Sequence, residues 1–306
     1  MDRFPFQPPP PALPAPEPEV DATYRVLLEN DRFAIVAKSG NLPCHPGGRY
    51  RLRTLEALLV SRAGFPAAHF VGRLDRETSG AVLVAKDPST AGALARATMA
   101  RRVRKTYLCI ARGAWTEPAG PDGWSDVFGR ILPAGDALVH KYRVFERLPD
   151  EAAWRGADPA TAARTRFRPL AWAALGVPSP PPGFVALECE PLTGRTHQIR
   201  ATLRGLGLEV AGDKLYGPDR AIYGRLCEGR LTDDDRRALG MSRQALHCWR
   251  VAFRDPATGE DLSAEAPPDA MLAEFLAAFD WSGSASPGTR SGTTAHFWVG
   301  RRGPLW

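Results

Sequence analysis

The sequence predicts an α+β fold of the mixed α/β kind: one domain built on a largely antiparallel sheet with flanking helices. Three observations lead there. Apolar runs of strand length and period recur along the chain, sometimes two in succession across a short polar turn. Segments with helical leucine spacing are inserted between them rather than grouped apart. No internal repeat is visible, and biased composition is confined to the two ends.

In order, TYRVLLE (23–29) and FAIVA (33–37) read as two strands joined by a turn at Asn30–Asp31. RTLEALLVSRAG (53–64) has helical spacing and stops at Gly64. GAVLVAK (80–86) is a strand, STAGALARATMARRV (89–103) a helix with a basic end, and KTYLCIARG (105–113) a strand. The stretch 114–183 is rich in Pro, Gly and Ala, with strand candidates at LVHKYRVF (138–145) and TRFRPLAWAAL (165–175). FVALECE (184–190) is a strand, THQIRATLRGLG (196–207) a helix capped by Thr196, and LHCWRVAF (246–253) a strand.

The ends differ. Residues 1–22 hold eight prolines, which excludes a helix or central strand and predicts a disordered, polyproline-like leader. Residues 283–306 are expected to form a disordered Gly/Ser-rich tail, leaving 23–282 as the single folded domain.

Composition bounds the function. The net charge is +6, and the excess is almost all arginine, whose planar donor fork suits phosphate. A GC-biased genome accounts for arginine equally well, so the placement of the charges has to decide. Five cysteines (Cys44, Cys109, Cys189, Cys227, Cys248) are scattered, with no CxxC pair and no zinc-like His/Cys spacing. That argues against a metal centre and for a reducing, cytoplasmic setting. No signal peptide and no apolar run of membrane-spanning length is apparent.

Three polar segments place ionisable groups between strong apolar elements. GRLDRETSG (72–80) sets Asp75 in a turn before a strand, with arginine on either side. LTGRTHQIR (192–200) brings Arg195 and Arg200 to a helix N-terminus, where backbone N–H groups favour anions. RRVRKTY (101–107) runs from Arg101 and Arg102 into Tyr107, a basic and aromatic pairing suited to an RNA strand. Each also has a plain reading: a surface ion pair, a capped helix with solvated arginines, a solvated helix end.

Taken together and in this order, the segments GRLDRETSG, KTYLCIARG, LTGRTHQIR and GDKLYG (212–217) resemble the motifs of the RluA-type pseudouridine synthase family. LPCHPGGRY (42–50) and LHCWRVAF add to the likeness, which spans about 24–268. One departure stands out: the family's histidine before Arg–Leu–Asp is Gly72 here.

The resemblance implies an RNA-acting isomerase that needs no cofactor, breaks the N-glycosidic bond of a flipped uridine, rotates the base and rejoins it through carbon. It implies Asp75 as nucleophile, Arg200 as its ion-pair partner, and Tyr107 as the ring packed on the target base, which assists proton transfer. Arg73 is implied to fill the space the uridine leaves, and Ile199 to lie beside the ring. Arg195, Arg101 and Arg102 would contact the RNA backbone. Ribosomal or transfer RNA is the expected partner of a monomer, without membrane or DNA. A non-catalytic RNA binder would lack the loop carboxylate or its arginine. A hydrolase using Ser79 would need a nucleophile elbow, and TSG is not one.

Overall fold

Asn30 shapes the first hairpin. Its side-chain oxygen accepts from the backbone N–H groups of Arg32 and Phe33, both at 2.9 Å, and fixes the turn between β1 (Tyr24–Glu29) and β2 (Phe33–Lys38). The computed structural model describes residues 16–135, 141–177 and 182–277. The remaining strands are β3 (His69–Phe70), β4 (Ser79–Ala85), β5 (Val103–Arg112), β6 (Ser125–Pro133), β7 (Arg143–Arg147), β8 (Ala162–Pro169), β9 (Phe184–Pro191), β10 (Glu209–Val210), β11 (Leu246–Arg254) and β12 (Asp261–Glu265). The helices are α1 (Leu55–Ser61), α2 (Pro88–Met99), α3 (Glu151–Arg155), α4 (Gln198–Gly205), α5 (Ala221–Cys227), α6 (Asp233–Leu239) and α7 (Ala270–Ala277).

The twelve strands of the described residues join one sheet with the path β1-β2-β4-β11-β5-β9-β8-β6-β7, and β3, β10 and β12 pair alongside β4, β5 and β11. Among the described residues every pairing is antiparallel except β4 with β11. The expected mixed α+β class with a largely antiparallel sheet is therefore the observed one.

The sheet buries both faces around its centre, which is why β4 reads as a continuous apolar run and all seven of its residues are buried. On β5 the alternation divides the core. Tyr107, Cys109 and Ala111 join the large cluster with leucines of α1, α2 and α4, while Leu108 and Ile110 join a smaller one with Trp172, Leu175 and Leu272.

Several boundaries differ from expectation for local reasons. The helix expected over 89–103 ends at Met99, because the chain turns left-handed at Arg101 and begins β5 at Val103. The strand expected over 165–175 is β8 followed by a 3₁₀ turn, Trp172–Leu175, since Pro169 ends the ladder. Thr196 does not cap α4. The cap position is His197, in left-handed conformation and with no side-chain cap bond.

The stretch 114–183 carries β6, β7, α3 and β8, more order than its composition suggests. Of the strand expected over 138–145, residues 138–140 lie outside the described residues, as do 1–15 of the leader and the tail 283–306. Residues 16–22 form no helix or strand but lie against the domain. Glu17 accepts from the N–H groups of Leu52 and Arg53, and Ser39 donates to the Asp21 carbonyl.

Candidate active site

Asp75 sits in the turn between β3 and β4, and that turn is held from all sides. The Lys38 ammonium at the end of β2 donates to the carbonyls of Ser39, Arg76 and Thr78. Arg243 donates to the Glu77 carbonyl at 3.1 Å, and the Gln244 amide to Thr78 Oγ1 at 2.6 Å. Lys105 on β5 donates to the carbonyls of Val71 and Gly72 at 3.1 and 2.9 Å. After the turn, Gly80 has φ +105°, and a Cβ there would lie 2.2 Å from the Cys248 carbonyl oxygen. Only glycine lets β4 approach β11 this closely.

Gly72 itself has φ +72°, and a Cβ on it would meet Lys105 Nζ at 2.9 Å. The ammonium occupies the space that a side chain at position 72 would enter. Lys105 thus anchors this end of the loop through the backbone of residues 71 and 72.

Arg200 comes from the first turn of α4, whose orientation is set by Gln198. That buried amide makes four hydrogen bonds, accepting from Arg195 N–H and Thr193 Oγ1 and donating to the Arg164 carbonyl and Thr165 Oγ1. It fastens the 193–198 turn to β8 and fixes where the next helical residues point. Arg200 then donates from Nη1 to Asp75 Oδ2 at 2.8 Å. Its Nε and Nη2 donate to Asp213 at 2.6 and 2.8 Å. Asp213 is fully buried and also accepts from the N–H groups of Leu215 and Tyr216.

The charges follow from these contacts. Burial pushes the Asp75 carboxyl up, but attraction to Arg200, with hydrogen bonds from Arg200 and Gln244, more than offsets it and leaves the group below its ordinary value. Its side chain is 32% exposed, so the carboxylate is ionised and open to a ligand. Burial and the nearby Arg200 charge bring the His197 ring down to about 4, so it is neutral at pH 7. Tyr216 Oη accepts from the Arg143 N–H at 2.9 Å and is hydrogen-bonded to His197 Nδ1 at 3.0 Å. The other ring nitrogen, Nε2, lies 3.9 Å from Asp75 Oδ1. Burial raises the Tyr107 phenol well above its ordinary range, which keeps it protonated.

Asp75, Tyr107, Arg200, Arg73, Ile199, Arg195 and Arg101 all line one cleft of about 250 Å³, open between the turn after β3 and the start of α4. Arg73 is exposed there and contacts His45 at 2.7 Å. Arg102 is exposed on the helix end but does not line the cleft. Sequence reasoning missed Lys38, Gln244 and Asp213, which hold the turn and the arginine. GDKLYG was the available signal for Asp213, because Gly–Asp ahead of an aromatic marks a turn that can accept backbone N–H groups.

Ser79 does meet a histidine, with Oγ 2.8 Å from His247 Nδ1. Both are fully buried, and His247 Nε2 bonds the Ala266 carbonyl at 3.0 Å, so no substrate reaches the pair. Among the described residues no group of three or more His, Cys, Asp or Glu side chains is placed to hold a metal ion, and no helix is long and apolar enough to cross a membrane.

The family model described as RNA pseudouridylate synthase matches residues 32–204. A ribosomal large subunit pseudouridine synthase D of Xanthomonas campestris is 32% identical over 262 residues, which are 84% of this chain and 70% of that protein. Ribosomal large subunit pseudouridine synthase C of Escherichia coli is 30% identical over 254 residues, 82% of this chain and 68% of that protein. In fold, the human protein titled RNA Pseudouridylate Synthase Domain Containing 1 matches with a TM-score of 0.57 at 24% identity, over 86% of this chain and 89% of that one. The class is thereby an isomerase that acts on RNA. The chain belongs to the RNA pseudouridylate synthase family, as an RluA-type member.

Proposed function

We infer that this enzyme isomerises one particular uridine of a structured RNA, with Asp75 as the nucleophile. What carries the inference is the Asp75–Arg200 ion pair, an ionised carboxylate at the floor of a cleft and held by a guanidinium that a second carboxylate fixes. Ribosomal RNA is the substrate favoured by the names of the relatives, and transfer RNA is the second choice.

In this reading the target nucleotide leaves its stack and enters the cleft, at an expense of a few kcal/mol that is least in a loop or bulge. The Asp75 carboxylate forms or supports the bond to the sugar carbon as N1 departs. The freed uracil turns, C5 bonds to C1′, and the hydrogen on C5 leaves while N1 gains one. Atoms and charge balance without a cofactor. Tyr107, protonated and buried, acts by packing on the base. Its raised phenol disfavours a role as base at neutral pH. Ile199 closes the other side of the ring, and Arg73 fills the vacated stack. Arg195 and Arg101 hold backbone at the cleft, with Arg102 further out. Residues 23–282 are the working unit, a cytoplasmic monomer with no demand for DNA or membrane.

The test is a map of pseudouridine in total RNA from cells with the gene, without it, and without it but supplied with Asp75→Asn. One or a few sites should vanish on deletion and stay absent with the variant. An unchanged map, or sites restored by Asp75→Asn, would refute the assignment.

A further inference from the structure

Helix α2 ends in a way that the chemistry of Asp75 does not require. Arg101 N–H bonds the Thr98 carbonyl and Arg102 N–H the Ala97 carbonyl, the paired closure that places a left-handed residue just after the helix. That residue is usually glycine, since a side chain there is strained. Here it is Arg101, with φ +59°.

The arginine is put to use. Its guanidinium lies over Trp154, 5.0 Å from the ring centroid, and Arg101 also lines the cleft that contains Asp75. Trp154 is buried, and its indole N–H has no hydrogen-bond partner among the described residues. Its ring, not its donor, is what the site gains. Arg164 also approaches this ring, at 5.8 Å, but it is tied to Asp126 at 2.9 Å and Glu151 at 3.3 Å. Arg101 is exposed and feels Glu151 through longer-range attraction.

A guanidinium held over an indole keeps a second plane for a ligand, and RNA bases stack on such planes. Extruding a nucleotide uncovers the faces of its neighbours, so a plane beside the cleft lowers the penalty of opening the strand. We propose that Arg101, backed by Trp154, is a stacking platform for an unpaired nucleotide adjoining the target uridine. It rests on the RNA function inferred above and deepens it, for there Arg101 served only as charge along the backbone.

The mapped RNA supplies the probe: a stem-loop carrying the modified uridine, intact or abasic at each neighbouring position in turn. Full-length wild type and Arg101→Gly are titrated against each. Wild type should lose about fivefold or more in affinity on one abasic RNA. Arg101→Gly should show a similar loss on intact RNA and no further loss at that position. Glycine suits the left-handed backbone, so the variant's melting temperature should not fall, which separates binding from folding. Arg101→Lys keeps the charge without the plane and, like the glycine variant, should show no further loss at that abasic position. Losses that multiply independently, a further loss at that position by Arg101→Lys, or undiminished binding by Arg101→Gly would each overturn the platform. On an RNA that is modified, independent losses remove the platform alone. A map with no modified uridine removes both readings.

Discussion

Arg200 holds Asp213 more tightly than it holds Asp75, with two nitrogens on the buried carboxylate at 2.6 and 2.8 Å and one on the cleft carboxylate at 2.8 Å. Asp213 thus fixes the guanidinium, and the fixed guanidinium presents one N–H to Asp75. Because Asp75 has no ion pair with Lys or Arg except this one among the described residues, its charge depends on a placement decided elsewhere.

Asp75→Asn keeps the size of the side chain and one acceptor for Arg200 while removing the nucleophilic charge. Pseudouridine formation should drop to background, with RNA affinity within about twofold of wild type. Tritium release from 5-³H-uridine RNA measures the first and filter binding the second. Measurable turnover by the variant would take the nucleophile role from Asp75.

Arg200→Ala strands a fully buried carboxylate. Removing one partner of a buried ion pair typically destabilises by about 3–5 kcal/mol. Urea unfolding should show a loss of that order together with loss of activity, whereas Asp75→Ala, which removes the more exposed partner, should cost far less stability. Equal losses would mean that Asp213 is not the anchor.

His197 sets a pH signature. Its ring is held down to about 4 in the folded protein against about 6.5 when unfolded. Between these values the unfolded chain binds the proton and the folded one does not, so stability should fall as pH drops from about 6.5 to 4. His197→Gln should flatten that part of the curve in thermal melts taken across pH. A variant with the same slope as wild type would exclude the ring as its source.

Lys38 should act in the opposite range. Burial, the largest influence, lowers its ammonium to about 8, although Cys44, Asp75 and Asp269 favour the charge. Between pH 8 and about 10.4 the unfolded chain keeps a proton that the folded chain has released, so this residue's contribution to stability rises with pH in that window. The melting temperature of wild type should rise relative to that of Lys38→Met across this window. Activity of Lys38→Met should be low throughout, since the carbonyls of Arg76 and Thr78 lose their donor.

Gly72→Ala tests the Lys105 anchor. The new methyl combines a left-handed strain of about 1 kcal/mol with a contact at 2.9 Å, so stability and turnover should both decline. Lys105→Ala in the same background should relieve the clash in part, a non-additivity that a double-mutant cycle measures.

Much of this was legible in the sequence, for identifiable reasons. β2, β4, β5 and β9 are central strands, and their buried runs of Val, Ile, Leu and Ala leave little ambiguity. β6 was not legible, because Asp126 and Arg130 on its outer face and Gly129 in its middle mask the alternation of Ser125, Val127 and Ile131. α6 begins at a reciprocal cap between Thr232 and Asp235 that an acidic run conceals. At the site, Asp75 and Arg200 stood out as charges in apolar surroundings. Lys38 did not, because a lysine closing a strand ordinarily points to water, and only the folded turn shows three carbonyls converging on it.

The parallel pairing of β4 with β11, single among the described residues, has a consequence for synthesis. The strand that follows Asp75 is completed by one that leaves the ribosome some 160 residues later, after Arg200, Asp213 and Gln244. A half-made chain therefore carries Asp75 without its counter-charge or the supports of its turn. The charged pair at the cleft can close only once most of the chain has been made, so the site is assembled late in synthesis.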